Sequence, residues 1–217
     1  MKGDVRVLGA HHRRAAAQIA ADLGDAIAAK GGRVLVTVAG ESGSGKSETA
    51  AALAEQLLKL GLATVVLGQD DYFVLPPKSN DARRRTDAEW LGPHVEVRFD
   101  LLQANVDAAL AGASEIEKPL IDYAGNSAAM DVASLEGVEV VIVEGTYVSL
   151  LRHVDRRIFI ARNRLETLEH RKRRNRGSEA ADPFIEGVLA VEHKIIAGHR
   201  ALADFVLTRD FDVIGAA

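Results

Sequence analysis

The spacing of apolar residues changes several times along the chain, and each change marks an element. Within an alanine-rich stretch at residues 11–30, Ile19, Leu23 and Ile27 recur about every four positions. That spacing predicts an amphipathic helix, stopped by Gly31-Gly32. Val34-Leu35-Val36-Thr37-Val38-Ala39 is short, apolar and rich in β-branched residues, the pattern of a strand buried on both faces. Glycines follow, then a helix from about Lys46 to Leu60 that ends near Gly61. Further strands are predicted at residues 63–67, 138–143 and 157–161, with a short one at 205–207, and a helix at 101–110. A helical stretch begins near Arg164, breaks near Gly177 and Pro183, and resumes to about Leu202. Residues 76–98 are proline-rich, charged and aperiodic, so they predict an extended loop with short helical turns. Strands separated by helices imply right-handed crossovers. The expected fold is a three-layer α/β domain with a parallel sheet and helices on both faces. No repeat or linker divides residues 1–217, so they read as one domain. It carries a helical extension at 1–32, an insertion at about 76–130 and a segment at about 164–185 placed as a helical lid.

Composition narrows the function classes. Hydrophobic residues make up 47% and charged residues 27% of the 217, as in an ordinary globular domain. A net charge of -4 gives no overall basic footprint, so no general nucleic-acid binding is expected. The absence of cysteine excludes a disulfide scaffold and a thiolate metal site. No apolar run reaches the length of a membrane span, and Met1-Lys2-Gly3-Asp4 leads into His11-His12-Arg13-Arg14 rather than an apolar leader. The expectation is a cytoplasmic protein with no membrane partner. A homo-oligomer is compatible with these features.

Gly40-Glu41-Ser42-Gly43-Ser44-Gly45-Lys46-Ser47 fits G-x-x-x-x-G-K-[ST] in full, between a predicted strand and a predicted helix. Its glycines let the backbone turn its N–H groups onto phosphates, and the helix start adds partial positive charge. Lys46 is expected on the β- and γ-phosphates and Ser47 on Mg²⁺. Residues 40–48, with Glu48 in the first helical turn, form the predicted ATP-binding set. Glu144 ends a predicted strand where open α/β sheets bind ligands, which suits a second Mg²⁺ ligand. Gln69-Asp70-Asp71-Tyr72 follows another strand in the same way. A kinase needs a carboxylate to take the proton of the attacking hydroxyl, and Asp70 or Asp71 could serve. Paired aspartates that cap a turn are the plainer alternative.

Taken in order, these motifs resemble the uridine kinase/phosphoribulokinase family of P-loop kinases. The resemblance rests on residues 40–47, Gly68-Gln69-Asp70-Asp71-Tyr72-Phe73, Arg98-Phe99-Asp100-Leu101-Leu102, Lys118-Pro119-Leu120-Ile121-Asp122-Tyr123 and Val141-Ile142-Val143-Glu144-Gly145. It spans roughly residues 33–208. It implies Asp70 as base and Mg²⁺ neighbour, Glu144 as a Mg²⁺-associated ligand, and transfer of the ATP γ-phosphate to a hydroxyl of a small molecule. Tyr72, His94, Asp122, Tyr123 and Asn126 fall where the acceptor is expected. Here the sequence departs from the family's nucleoside kinases. Pro93-His94-Val95-Glu96-Val97 stands where Asp-His-Pro is usual, Ile121 replaces the aromatic before Asp122, and Asn126 stands near an expected histidine. The acceptor could be another nucleoside, a vitamin precursor, a sugar or a sugar phosphate.

A run of basic residues follows the strand at 157–161: Arg162, Arg164, Arg171, Lys172, Arg173, Arg174 and Arg176, against Glu166 and Glu169. Guanidinium groups on a lid would stabilise charge on the transferring phosphoryl group and exclude water. Arg171 and Arg174 share a helical face and are the first candidates, with Arg176 next on the nucleotide. The plainer reading is a solvated basic face. Arg83-Arg84-Arg85 would suit a phosphate-bearing acceptor, as in a nucleoside-monophosphate kinase, or a solvated loop. Trp90 and His94 are candidates to line the same pocket. His193 and His199 lack metal-ligand spacing and read as surface or packing residues. A nucleotide-dependent regulatory module is the rival from another class, although the Asn-Lys-x-Asp signature of GTPase switches is absent.

Overall fold

The computed structural model describes residues 6–168 and 182–215. In chain order the elements are α1 (Ala10–Lys30), β1 (Val34–Gly40), α2 (Lys46–Lys59), β2 (Thr64–Gly68), α3 (Pro77–Thr86) and α4 (Phe99–Leu110). Then come β3 (Glu115–Asp122), β4 (Ser127–Ser134), β5 (Val140–Gly145), β6 (Arg156–Ile160), α5 (Pro183–Ile196), β7 (Phe205–Leu207) and β8 (Val213–Gly215). The main sheet has six strands in the order β2-β5-β1-β6-β7-β8. Its pairings are parallel except β7 with β8. The predicted all-parallel sheet therefore gains an antiparallel edge strand. β3 and β4 form a separate antiparallel ribbon.

The alternation of side chains along each strand sorts the core into two layers. Val34, Val36 and Val38 of β1, with Val140 and Ile142 of β5 and Ile158 and Ile160 of β6, face α1 and α2. There Ile19, Leu23 and Ile27 meet Leu53 and Leu57. The N-terminal helix is thus half of the cover on one sheet face. Leu35, Val141, Val143 and Phe159 point the other way, onto Leu102 and Val106 of α4 and Ile196 of α5. Every residue of β1 and β5 is buried, which explains why both strands lack polar alternation.

Two elements depart from expectation. Residues 77–86, expected within an extended loop, form a ten-residue helix that Pro77 starts. The β3–β4 ribbon was not foreseen. Asn126 takes a left-handed conformation at its turn (φ 46°), which asparagine tolerates better than most residues. Among the described residues no helix is long and apolar enough to cross a membrane.

Candidate active site

The register of the central strands assembles the site. Gly68 of β2 pairs with Glu144 of β5, which pairs with Val38 of β1. The segments after Gly40, Gly68 and Glu144 therefore leave the sheet side by side at its carboxyl edge, where β1 separates chain running to either side. The glycine loop has no room for side chains at its ends. A Cβ on Gly40 would lie 2.8 Å from Ser44 Oγ, and one on Gly45 would lie 3.0 Å from both His12 and Phe211. Gly45 also has φ 101°, which disfavours any other residue. Lys46 Nζ donates to the Glu41 carbonyl at 2.9 Å, folding the ammonium over the loop. Ser44 Oγ is buried without a hydrogen-bond partner among the described residues, an orphan that phosphate oxygens would satisfy.

Ser47 Oγ donates to Glu144 Oε1 at 3.1 Å. The Glu144 carboxyl is pushed up to about 7, by burial first and by nearby Asp70, against the opposing effects of Lys46 and the Ser47 hydrogen bond. Such a carboxylate gains from a divalent cation, which Ser47 would share. Among the described residues there is no cluster of three or more metal-ligating His, Cys, Asp or Glu. Ser47 and Glu144 are the side chains placed to hold Mg²⁺ together with phosphate oxygens and water. The paired aspartates separate clearly. Asp71 is buried, accepting from Lys118 Nζ at 3.1 Å and from the Ile121 backbone N–H at 3.2 Å. Asp70 is half-buried, makes no hydrogen bond or ion pair among the described residues, and lies within electrostatic range of Glu144. Gln69 fixes this corner, since its Oε1 accepts from the Tyr147 backbone N–H at 2.8 Å.

Comparison with known proteins follows this geometry. The model of the phosphoribulokinase/uridine kinase family matches residues 35–179. The chain belongs to that family. Its loop at residues 40–47 carries the complete phosphate-loop pattern G-x-x-x-x-G-K-[ST]. The chain is 31% identical over 192 residues to the bifunctional alpha-galactosidase/sucrose kinase AgaSK of Mediterraneibacter gnavus. That match covers 83% of this chain and 20% of the relative, so the chain spans about a fifth of that relative's length. A possible uridine kinase from Bacillus stearothermophilus shares the fold with a TM-score of 0.63 at 16% identity, over 92% of this chain and 98% of that one. D-glycerate 3-kinase from Cryptococcus neoformans var. grubii serotype A does so with 0.63 at 14% identity, over 95% and 98%.

In the structure the residues predicted for the acceptor scatter. Tyr72 is a correction: it is fully buried, and its hydroxyl accepts from Asn105 Nδ2 at 2.9 Å, so it packs behind the site. His94 is exposed and stacks edge-on against Phe99. Asp122 accepts from Gly125 N–H in the ribbon turn. Half-buried Tyr123 lies in that turn too. Asn126 joins the turn to α3, accepting from Lys78 N–H at 2.9 Å and donating to Ser79 Oγ at 3.1 Å. Trp90 Nε1 donates to Asn80 Oδ1 at 2.8 Å. Glu48 is buried in the first turn of α2.

Two buried acids, Glu96 and Glu192, were not singled out as site residues from sequence. Glu96, fully buried, accepts from Arg84 at 2.6 Å and Asn80 at 2.9 Å, and Tyr147 OH approaches it at 3.5 Å. Arg84 also meets Glu192 of α5 at 3.5 Å. His193, read as a surface or packing residue, is half-exposed, and its Nδ1 lies 2.6 Å from Oε1 of Glu41 in the phosphate loop. His199 is buried, as a packing residue would be, and burial lowers its pKa. The root of the predicted lid touches the loop as well. Thr167 Oγ1 donates to the Ser42 carbonyl at 3.1 Å, and Arg162 lies 3.5 Å from that of Ser44. Arg171, Arg174 and Arg176 lie outside the described residues.

Proposed function

We propose that this protein is an ATP- and Mg²⁺-dependent kinase that phosphorylates a hydroxyl of an unphosphorylated small molecule. The observation that carries this reading is the convergence of Lys46, the Ser47–Glu144 pair and an unengaged Asp70 at one sheet edge. Asp70 would orient the acceptor hydroxyl and take its proton as that oxygen bonds to the γ-phosphorus. The bond from phosphorus to the β,γ-bridging oxygen breaks, and ADP leaves with the electron pair. Lys46 would follow the charge that moves onto the β- and γ-oxygens. Ser47 and Glu144 would hold Mg²⁺, which when bound neutralises phosphate charge. Residues at about 164–185 would close over the nucleotide, with Arg171 and Arg174 on the transferring group and Arg176 on the nucleotide.

Charge pairing in the insertion supports an acceptor without a phosphate. Arg83 pairs with Asp87 at 2.8 Å, Arg84 with Glu96 at 2.6 Å, and Arg85 with Asp81 at 3.0 Å and Asp182 at 2.5 Å. All three arginines expected to grip an acceptor phosphate already have carboxylate partners. The relative whose name includes sucrose kinase makes neutral sugars the first acceptors to test.

Lys46→Ala tests the reading. The account expects a loss of turnover of at least ~100-fold with the true acceptor, because one electrostatic donor to a phosphoryl transition state has an effect on that order. Near-normal transfer by the variant, followed by mass spectrometry of the product, would remove the assignment.

A further inference from the structure

Helix α5 breaks its own pattern at one position. Its buried residues are Val188, Leu189, Glu192 and Ile196, an apolar stripe interrupted by a carboxylate. Acids are rarely buried without a full set of partners, because desolvation of the charge is costly. Glu192 lacks that set. Its side chain is only 10% exposed and Oε1 sits 3.5 Å from Arg84, a looser contact than the 2.6 Å that Arg84 makes with Glu96. Oε2 is buried with no hydrogen-bond partner among the described residues. Burial pushes this carboxyl up to about 7; Arg84 opposes the rise, Glu96 adds to it, Lys46 opposes it and Asp70 adds to it. The carboxylate therefore lies within electrostatic reach of both the phosphate-loop lysine and the candidate base. A local rule broken within electrostatic reach of the candidate reactive centre, with one carboxylate oxygen left unpartnered among the described residues, is the mark of a residue kept for a ligand.

The neighbours indicate what that ligand is. Glu96, Arg84 and Glu192 place two acids against one cation, a combination that repels phosphate. Arg84 lies over the Phe73 ring at 6.0 Å, and Tyr147 OH and Asn80 add neutral polar groups. A carboxylate accepting from one hydroxyl, with a guanidinium donating to the next, suits adjacent hydroxyls on a carbon skeleton. We propose that Glu192 and Arg84 form the acceptor-binding subsite and hold a neutral polyol, such as a sugar, by two neighbouring hydroxyls. Glu192 is then the specificity-determining residue that turns the third hydroxyl toward Asp70. This rests on the kinase reading and adds its substrate class.

The test uses the full chain, ATP and Mg²⁺, a panel of neutral mono- and disaccharides and nucleosides, and single-deoxy analogues of any acceptor found. Wild-type protein is expected to release ADP with a sugar and to lose at least ~10-fold in kcat/KM when one specific hydroxyl is removed, the equivalent of 1.4 kcal/mol. Glu192→Gln is expected to raise the acceptor KM at least ~10-fold, to leave the ATP KM within about twofold, and to treat parent and deoxy analogue alike. The same variant is expected to melt no lower than wild type, since it removes a buried charge; a carboxylate present only to hold the fold would give the opposite. Lys194→Ala, on the exposed side of α5, should behave as wild type. An unchanged acceptor KM in Glu192→Gln, with sugar phosphorylation intact in wild type, overturns the subsite. Phosphorylation of a nucleoside base-dependently and of no sugar overturns the polyol class but leaves the kinase. ADP release that no acceptor stimulates removes the kinase reading and this inference with it. The wild-type deoxy series decides the matter even if the variant does not fold.

Discussion

Two adjacent aspartates in this protein have different surroundings, and the difference assigns them. Asp71 holds Lys118 and the Ile121 N–H, joining the segment after β2 to β3. Breaking such a buried pair leaves Lys118 uncompensated. Asp71→Asn should therefore cost about 3 kcal/mol of stability, read as a lower denaturant midpoint. Asp70 has no such duty, so Asp70→Asn should keep the midpoint and lower kcat by about 10²- to 10⁴-fold, the usual contribution of a general base. The opposite pattern would move the base to Asp71. Sequence alone left the two open because their partners lie some fifty positions away in a ribbon that was not predicted. Glu192 was missed for a related reason. The signal was present in the sequence as an acid in the Val188-Leu189-Glu192-Ile196 stripe, but only burial shows that the stripe has no polar exit. Its titration gives a prediction of its own. An unfolded carboxyl titrates near 4.5, whereas Glu192 in the fold is raised to about 7. Between those values the folded state binds more protons, so its contribution to stability is present at low pH and declines as pH rises through 7. The melting temperature of wild type relative to Glu192→Gln should thus fall from about pH 5 to pH 8; a flat difference would contradict the shift.

At the scale of elements, the buried strands and the glycine loop were legible because their apolar runs and motif spacing are local properties. β4 was not. Its residues Ser127–Ser134 are nearly all exposed, so no buried face imposes an alternating pattern that periodicity could detect. α3 was hidden by its charge: beside the local pairs Arg83–Asp87 and Arg85–Asp81, Arg84 pairs with Glu96 and Arg85 with Asp182, acids outside the helix that its local pattern does not show. One side chain ties several elements together. Arg33, just before β1, donates to the carbonyls of Ala109, Ala113, Leu135 and Val138 at 2.6–3.0 Å. It closes the C-terminal end of α4 and anchors the approach to β5. Arg33→Ala should lower stability by about 2 kcal/mol in urea unfolding, since it strands several carbonyls at once. A midpoint within experimental scatter of wild type would show that water replaces the clamp without loss.

Across the whole molecule, the sheet positions one side of the candidate site and segments remote in sequence meet on the other. The sheet, covered by α1 and α2 on one face and by α4 and α5 on the other, holds the phosphate loop, Glu144 and Asp70 through backbone register. The insertion brings Arg84 and Glu96, and α5, from a remote part of the chain, brings Glu192 against Arg84 and His193 against Glu41 of the phosphate loop. The phosphate machinery was readable because each part sits at a strand end, a place that sequence pattern marks. The acceptor side depends on contacts between segments about a hundred residues apart, which no local pattern encodes. The resemblance pointed to the chemistry, while the buried Arg84–Glu192 contact, absent from the expected acceptor set, is what the proposed subsite rests on. The central claim is that γ-phosphate moves from ATP to a hydroxyl at this edge. Phosphorus-31 NMR of a reaction with ATP, Mg²⁺ and the acceptor panel tests it most directly. The account predicts a new phosphate monoester resonance growing in step with ADP; ADP accompanied only by inorganic phosphate would contradict it.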